Sequence, residues 1–477
     1  MIGYIIGGVL LAFILVLVIR ACLFRPHPLP KERELPVEIP RDKVVQDMVD
    51  LIRCKTVSNR DEALVDRAEF EKLRSLLAER FPTVHKKAVR KELGKTGLLY
   101  MIKGKSSDRP NVLMAHYDVV PVEEALWTKP AFAGLIEEDC IWGRGTLDTK
   151  GTLCGIFEAL EVLLNKDYEP ANDLYLSFSG EEEIDGDSCP AIVTYLEENG
   201  IRPAMVLDEG GAVVEKVFPG VSGECALIGI AEKGSVNMEF RMDSTGGHAS
   251  TPPVHTVLGR LSSAVCRIEA HPFRRRLTRP VAEMFDTLGR YSTFAYKLIF
   301  ANLWCFEGLL DKICKKSGGE LNAMMRTTVA VTRMEGSKAY NVLPPKASFG
   351  INMRLMPGDT IDSATEYLRK VIADDSISIH LVNGMNPSPC ARTDGEAWTG
   401  LSEVVHATWP EAIVSPYLMM ACSDSRHYCR ICDHVYRFSA MRMSKAERGM
   451  IHGNDERIPI ETLLTTVAFY ERLLQTL

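Results

Sequence analysis

The 477-residue sequence has no internal repeat, no low-complexity tract and no long basic stripe, and each absence excludes a class of protein. A formal net charge of −7 gives no general attraction for nucleic acid, so we expect no nucleic-acid partner. Hydrophobic residues make up 46% of the chain and charged residues 25%, which are values of a folded globular protein rather than a disordered one. The length exceeds what one hydrophobic core usually serves and predicts two domains.

The thirteen cysteines lack the spacing of a disulfide framework, and their number is odd. This pattern is typical of thiols that stay reduced and therefore predicts a protein that faces the cytosol. Cys429 and Cys432 form a Cys-x-x-Cys motif, but no second pair stands at zinc-finger spacing. Two small apolar side chains are therefore favoured over a structural zinc or a redox pair.

The first 19 residues contain no charged side chain and are rich in Ile, Leu and Val. As a helix they would be about 28 Å long, close to the thickness of a bilayer core. No Lys or Arg precedes this run and no Ala-x-Ala-like site follows it, which favours a retained anchor over a cleaved signal peptide. We predict a single-pass transmembrane anchor at residues 1–20, embedded in the lipid bilayer, and a proline-rich linker at residues 21–40.

The charges after the apolar run indicate an orientation. Arg20, Arg25, Lys31 and Arg33 place positive charge on its C-terminal side. Because positive flanks tend to stay in the cytoplasm, we predict a membrane-anchored protein whose globular part is cytoplasmic. The extracytoplasmic orientation is the alternative.

Imidazole and carboxylate side chains recur along the chain in a pattern that suits a metal centre. A mixture of these ligands is typical of two zinc ions with one carboxylate between them. Taken singly, the positions have ordinary alternatives, since Asp148 could cap the next helix and the glutamate triplet 181–183 could be a solvated face. Their joint occurrence favours a metal-dependent hydrolase. The candidates for this centre are His116, Asp118, Asp148, the three glutamates Glu181, Glu182 and Glu183, Asp208 and His452.

Short apolar runs place these candidates at the ends of strands. Three short runs are strand-like. The run 111–115 ends directly before His116, and the run 174–178 ends close before the glutamate triplet. The run 205–207 ends directly before Asp208. Strands that alternate with helices, such as the helical run 152–164, predict an α/β fold with a mostly parallel or mixed sheet. We expect the ligands at the carboxyl ends of its strands, where open α/β sheets build their sites.

A second set of strand-like and helical segments begins near residue 222. It predicts an inserted α+β unit of four strands and two helices. Residues 281–315 form an apolar, helical embellishment of this insert. We divide the globular part into a catalytic domain at 41–221 and 384–477 and an insert at 222–383. The predicted strands of the insert are 234–243, 326–334, 347–355 and 377–382, and the predicted helices are 360–373 within it and 397–407 and 461–474 after it.

Four motifs together carry a resemblance to a known family. They are Ala-His-Tyr-Asp-Val-Val-Pro, Gly-Arg-Gly-Thr-Leu-Asp-Thr-Lys-Gly, Gly-Glu-Glu-Glu and Gly-Gly-His-Ala-Ser. From about residue 43 to the end, the chain resembles the co-catalytic zinc aminoacylase, carboxypeptidase and desuccinylase family. It is most similar to the branch of carboxypeptidase S and the N-fatty-acyl-amino-acid hydrolases. The resemblance implies a mixed-sheet zinc-peptidase domain with an inserted ferredoxin-like lid, through which relatives form homodimers.

The resemblance also implies roles for the candidate residues. His116 and Asp208 would bind one Zn²⁺, Glu183 and His452 the other, and Asp148 would bridge them, with Co²⁺ or Mn²⁺ as substitutes. Asp118 would orient His116, and Glu182 would be the general base. Glu181 would lie outside the metal site. Asp208 and Glu209 are ambiguous by one position, and the family pattern favours Asp208.

Three further residues match family positions that act on the substrate. The resemblance implies that His248 stabilises the tetrahedral oxyanion, often across a dimer interface. Asn341 and Arg354 match positions that bind the substrate carboxylate or the oxyanion. The alternatives are a tight turn at Gly246-Gly247, a turn asparagine and a strand-end salt bridge.

The combined interpretation is a zinc-dependent metallopeptidase or amidohydrolase that cleaves an amide bond next to a free carboxylate. Its small-molecule substrate would be a dipeptide or an N-acyl amino acid. The alternatives are a desuccinylase or deacetylase of a biosynthetic intermediate and a catalytically silent scaffold. The complete set of ligands argues against the scaffold.

Overall fold

The structure is a computed structural model that describes residues 1–31 and 33–477. The described chain forms fifteen α-helices and seventeen strands, joined by short 3-10 turns. The helices are α1 (Ile2–Leu23), α2 (Arg41–Ile52), α3 (Arg67–Arg80), α4 (Pro82–Lys87), α5 (Lys150–Asn165), α6 (Ser188–Glu198), α7 (Val257–Ala270), α8 (Arg279–Gly289), α9 (Phe294–Phe300), α10 (Leu303–Ser317), α11 (Gly319–Met325), α12 (Ile361–Ile372), α13 (Glu396–Thr408), α14 (Lys445–Arg448) and α15 (Ile460–Leu474). The strands are β1 (Val89–Leu93), β2 (Gly97–Ile102), β3 (Ser106–His116), β4 (Leu135–Glu137), β5 (Cys140–Trp142), β6 (Asn172–Ser179), β7 (Met205–Glu215), β8 (Glu224–Glu232), β9 (Gly234–Asp243), β10 (Gly247–His248), β11 (Thr328–Glu335), β12 (Val342–Leu343), β13 (Lys346–Leu355), β14 (Ser378–Met385), β15 (Ile413–Met419), β16 (Val435–Arg442) and β17 (Arg457–Pro459).

Eight strands form the main sheet in the order β1-β2-β6-β3-β7-β16-β8-β15. The central strands β6, β3, β7 and β16 run parallel, whereas β1 and β2 run antiparallel to their neighbours. At the other edge, β8 is antiparallel to β7 and parallel to β15. The predicted α/β fold with a mixed sheet is therefore confirmed, and the three predicted strand runs lie within β3, β6 and β7.

Both faces of this sheet are covered, which explains why its strands are continuous apolar runs. Along β3, Leu113 and Ala115 point into the larger core, where α5 and α15 pack, whereas Val112 and Met114 point to the opposite face beneath α6. Cys432 is buried on that second face and Cys429 is partly buried beside it, so both cysteines of the Cys-x-x-Cys motif contribute to its packing. All thirteen cysteines lie in the described part of the chain, and none forms a disulfide.

A four-stranded antiparallel sheet, in the order β11-β13-β9-β14, forms a second layer with α7 and α12. Burial alternates along β9, where Val236, Met238 and Phe240 face the helices and the residues between them are more exposed. The four predicted strands and the helix at 360–373 are confirmed within a few residues. The boundaries at 222 and 383, and the use of this unit as a lid, remain predictions.

The N-terminal part of the chain lies against the globular part instead of extending away from it. By length and composition α1 meets the requirements of a membrane-spanning helix, and most of it is exposed. The linker after it contacts the protein at several points: His27 pairs with Asp286 at 3.0 Å, and the Gln475 side chain donates to the Pro36 carbonyl at 2.9 Å. The linker is therefore docked along the surface.

Candidate active site

The predicted site residues lie on three neighbouring parallel strands, at the end of one, just after the end of another and within the third. His116 is the last residue of β3, and the glutamate triplet begins two residues after the end of β6. Asp208 and Glu209 lie within β7, on the other side of β3. Because β6, β3 and β7 are adjacent and parallel, their ends lie side by side and bring these side chains together.

Two imidazoles face one carboxylate at the centre of the site. His116 Nε2 lies 2.9 Å from Asp148 Oδ1, and His452 Nε2 lies 3.1 Å from Asp148 Oδ2. Each imidazole also meets a second carboxylate: Glu209 Oε1 lies 3.4 Å from His116 Nε2, and Glu183 Oε2 lies 3.0 Å from His452 Nε2. Asp148 thus stands between two imidazole–carboxylate pairs, with one oxygen toward each.

Asp118 lies behind this cluster and is fully buried. The backbone carbonyl of Asp118 lies 3.0 Å from His116 Nδ1, so Nε2 is the nitrogen that His116 turns toward the cluster. The Asp118 carboxylate accepts the backbone N–H groups of Glu182 and Glu183, each at 3.2 Å. One carboxylate therefore ties the end of β3 to the glutamate triplet.

The three glutamates of the triplet point to different places. Glu181 is buried away from the cluster and accepts a hydrogen bond from the Ser188 hydroxyl. Oxygen atoms of Glu182 lie within 4.8 Å of ligand atoms of His116 and Glu209. Glu183 forms a similar group with His116 and Asp148. Glu182 and Glu183 are therefore the two members that face the cluster.

The structure places Glu209, and not Asp208, beside His116. Asp208 is buried and accepts the backbone N–H of Ser425 at 3.0 Å. The two positions diverge because successive side chains of a strand point to opposite faces. The strand approaches its neighbour closely just afterwards, since a Cβ built on Gly211 would lie only 1.8 Å from the Leu227 carbonyl oxygen.

Glu456 is a site residue that the sequence analysis did not identify. It is fully buried, and its carboxylate accepts Arg144 Nη1 at 2.6 Å and the backbone N–H groups of Gly145 and Leu147 at 3.1 and 2.8 Å. The Asp148 N–H also points to it, at 3.3 Å. Glu456 thus holds the loop that presents Asp148. A buried arginine within Gly-Arg-Gly needs an acidic partner. The sequence could have indicated Glu456 through this requirement alone.

The cluster has a large excess of negative charge. Among residues 1–31 and 33–477, no Lys or Arg nitrogen lies within 4.0 Å of the Asp148, Glu182, Glu183 or Glu209 carboxylate oxygens. The Asp148 and Glu183 carboxylates raise the pKa of His452 to about 10. Burial disfavours a charged His116, but Glu209, Asp118 and Asp148 outweigh it and raise the pKa of that imidazole.

These donors fit divalent metal ions. Buried carboxylates that outnumber the basic side chains around them are costly unless they coordinate a cation. Imidazole and carboxylate ligands together are typical of zinc and related metals.

A cavity of about 360 Å³ opens from this cluster. Five residues of the cluster line this cavity, namely Asp148, Glu182, Glu183, Glu209 and His452, and Cys422 and Arg448 line it as well. Arg354 lies at its edge, because its guanidinium contacts Cys422 Sγ at 3.6 Å. Most of the remaining wall is apolar and includes Leu147, Val214, Leu227, Tyr417, Met419, Met443 and Ile451.

Comparison with known proteins places this site in a family. Residues 112–476 match the model of peptidase family M20/M25/M40. The chain belongs to this family. It is 33% identical over 441 residues to a probable carboxypeptidase S-like 2 of Dictyostelium discoideum, covering 91% of this chain and 85% of that one. It is 32% identical over 489 residues to the N-fatty-acyl-amino acid synthase/hydrolase PM20D1 of Xenopus tropicalis, covering 98% and 95%.

A solved structure shows the same fold. The M20 family metallo-carboxypeptidase Sso-CP2 of Sulfolobus solfataricus superimposes with a TM-score of 0.67 at 18% identity, covering 91% of this chain and 98% of that one. As a member of the M20 family, the chain is a metal-dependent hydrolase of amide or peptide bonds. The predicted family, the predicted enzyme class and the predicted reaction are confirmed.

Two predicted site residues of this M20 hydrolase lie outside the cavity. His248 and Asn341 are exposed neighbours at a small two-stranded sheet, where β10 pairs with β12. The Asn341 carbonyl accepts the N–H of Ala249 at 3.0 Å, and His248 Nδ1 lies 2.7 Å from the Ser250 hydroxyl. Within one chain, neither side chain lines the cavity or reaches the cluster.

Proposed function

We propose that this M20 hydrolase cleaves N-acyl amino acids, with the acyl chain in the cavity beyond the cluster. The observation that carries this proposal is the lining of that cavity, which combines the residues of the cluster with a largely apolar wall. Ligand cavities of this kind are mostly apolar with a few polar groups that fix the orientation. The name of the PM20D1 relative supports the same substrate class.

Two zinc ions are the cofactor that we assign to the cluster. His116 and Glu209 would hold one ion, Glu183 and His452 the other, and Asp148 both, because its two oxygens already face the two imidazoles. Glu209 replaces Asp208 in this set. Bound zinc would polarise the scissile carbonyl and lower the pKa of the attacking water. Co²⁺ and Mn²⁺ accept the same ligand types and could substitute.

Glu182 is the general base in this proposal. Burial raises the pKa of Glu182 well above its usual range, and the neighbouring carboxylates add to that effect. An ionised carboxylate whose pKa is raised is a stronger base than an ordinary glutamate, so it can take a proton from the attacking water and pass it to the leaving amine nitrogen. Asp118 fixes the positions of Glu182 and His116. Its carboxylate accepts the backbone N–H of Glu182, and its backbone carbonyl lies beside His116 Nδ1.

Positive charge at the cavity suits the free carboxylate of the substrate. Arg354 lies at the edge of the cavity. Arg448 lines the cavity, and its Nε has no hydrogen-bond partner within the described chain. A guanidinium fork can bind both oxygens of a carboxylate, so these two arginines are the candidates for that contact.

The test is turnover of N-acyl amino acids by the purified full-length chain loaded with zinc. Glu182→Gln should lower kcat by roughly two to four orders of magnitude, the usual contribution of a general base. Glu181→Gln is the matched control and should leave kcat unchanged, because Glu181 faces Ser188. A Glu182→Gln variant with full activity would show that the base lies elsewhere.

We further propose that α1 anchors the enzyme in a membrane, with the catalytic domain on the cytoplasmic side. The length and apolar composition of α1 support the anchor, and the basic residues after it support the orientation. An impermeant thiol reagent applied to intact cells should not label the exposed Cys266. Labelling without lysis would establish the opposite orientation.

A third proposal concerns the exposed His248. The four-stranded unit would act as a lid and dimerisation domain that brings His248 to the site of a second subunit, where it would stabilise the oxyanion. Support comes from its exposure and its distance from the cavity of its own chain. Mixed dimers of inactive His248→Ala and inactive Glu182→Gln should regain activity. Absence of recovery despite subunit exchange would refute this arrangement.

A further inference from the structure

The C-terminal half of α1 is fixed to the corner between α9 and α10 by polar contacts. Asn302 is fully buried, and its Nδ2 donates to the Leu17 carbonyl at 3.0 Å. The Arg20 guanidinium donates to the Ala301 carbonyl at 3.0 Å and to Asn302 Oδ1 at 3.1 Å. Ala301 follows the last residue of α9, so its carbonyl oxygen lies at the negative end of that helix. The charge of Arg20 is therefore satisfied by the protein, as charged groups within membranes require.

The length of α1 determines the depth of this corner in a bilayer. The 15 residues before the contact, 2–16, would be only about 22 Å long, whereas a bilayer core is about 30 Å thick. The whole 22-residue helix reaches about 33 Å. If α1 spans the core, which takes about 20 residues, at least residues 17–21 of its docked part must lie inside it. The ring centroids of Phe13 and Trp304 are 6.0 Å apart. Phe13 lies about 15 Å along the helix axis before the end of α1. Trp304 therefore lies at the depth of the acyl chains.

The exposed surface around this corner has the composition of a membrane-embedded face. Phe294, Trp304 and Leu309 are 53%, 61% and 50% exposed. Lys312 and Lys316 follow on the exposed C-terminal half of α10, where they can reach anionic headgroups. This face continues onto the exposed apolar side chains of α1, and a solvent-exposed patch of that extent is unusual for a soluble protein.

We propose that α9 and α10 are half-immersed in the same lipid leaflet as the C-terminal half of α1, as a membrane shelf of the catalytic domain. The inference rests on the proposed anchor. The shelf holds the globular part against the bilayer, because its contacts with α1 leave little freedom for rotation about the linker. Arg290 reinforces this attachment, since it lies over the Phe24 ring at 4.4 Å and donates to the Arg25 carbonyl at 2.8 Å.

Lipid-borne quenchers test the shelf and the anchor separately. The full-length protein would be reconstituted in phosphatidylcholine–phosphatidylglycerol vesicles containing lipids brominated along their acyl chains. Trp304 is one of five tryptophans, so its contribution is the difference between the parent and Trp304→Phe, which keeps a ring beside Phe13. Leu10→Trp in the Trp304→Phe background reports on α1 itself, because Leu10 is exposed on that helix.

We expect brominated lipids to quench the parent and the Leu10→Trp variant, and Trp304→Phe to lose most of this quenching. Equal quenching of the parent and Trp304→Phe, with added quenching in Leu10→Trp, would overturn the shelf while the anchor stands. No quenching in any variant would overturn the shelf together with the anchor. Protection of Trp304 from aqueous iodide without quenching by lipid would show that protein, such as a second copy of the chain, covers this face, and would also overturn the proposal.

Discussion

Replacement of Glu456 by Gln is expected to loosen the loop that presents Asp148. The two Glu456 oxygens accept two sets of donors: Oε2 accepts Arg144 Nη1 and the Gly145 N–H, and Oε1 accepts the Leu147 N–H and faces that of Asp148. The side-chain NH2 group of Gln must face one of these two sets of donors. It is itself a donor, so the hydrogen bonds to that set would be lost. Arg144 is only 2% exposed, so its charge would remain buried without a carboxylate.

Removing one partner of a buried ion pair usually costs about 3–5 kcal/mol, and we expect a loss of that order in the free energy of unfolding. Urea unfolding can be followed by tryptophan fluorescence, to which Trp127 contributes, and the Trp127 ring contacts the Arg144 guanidinium at 5.3 Å. Metal content should fall as well, because Asp148 loses its support. Arg144→Met combined with Glu456→Gln should recover part of the stability, since no unpaired charge remains.

Glu461→Gln is the control, because Glu461 pairs with Arg41 at the surface and its loss should have no measurable effect. The reasoning would be refuted if Glu456→Gln unfolded at the same urea concentration as the parent and retained its metal.

The remaining predictions concern the metal ligands and two titrating groups. Elemental analysis should show that Glu209→Ala loses bound metal while Asp208→Asn keeps more of it, and the reverse result would restore Asp208 as the ligand. Because its carboxylate neighbours raise the pKa of His452 to about 10, metal binding at pH 7.5 should release a proton, and affinity should rise about tenfold per pH unit for each proton released. Calorimetry in buffers of different ionisation enthalpy measures this release, and its absence would contradict the charged imidazole. Burial, aided by Arg354, lowers the pKa of Lys233 to about 7. Between pH 7 and 10.5 Lys233 therefore binds a proton in the unfolded chain that it lacks in the folded chain. Relative to Lys233→Met, the stability of the parent should therefore rise with pH in that window by up to about 1.4 kcal/mol per unit, whereas a flat difference would show a lysine that stays charged.

Much of the fold followed from local patterns in the sequence. The apolar run before His116 has the length and composition of a buried strand, and it forms the central strand β3. The alternation of Val236, Met238 and Phe240 similarly predicts the one-sided burial of β9. Such features depend on neighbours in the chain, so they can be predicted without the tertiary structure.

Other features depend on contacts between distant segments. Whether Asp208 or Glu209 faces the cluster depends on the phase of β7, which is set by its close approach to β8 at Gly211. Glu456 and Arg144 are separated by more than 300 residues in the chain, so their pairing is visible only in the fold. The docking of Asn302 against α1 is of the same kind, because an apolar segment alone does not reveal which helix it meets.

The central claim is that the cavity beyond the catalytic cluster takes an acyl chain, and the most direct test is kcat/KM for a series of N-acyl amino acids of increasing chain length. Each methylene buried in an apolar cavity contributes about 0.8 kcal/mol, so kcat/KM should rise about fourfold per methylene until the cavity of 360 Å³ is filled. Met419→Glu, which puts a charge in the apolar wall, should abolish this rise while N-acetyl amino acids are still hydrolysed. A kcat/KM that stays constant or falls with chain length in the unaltered enzyme would contradict the account.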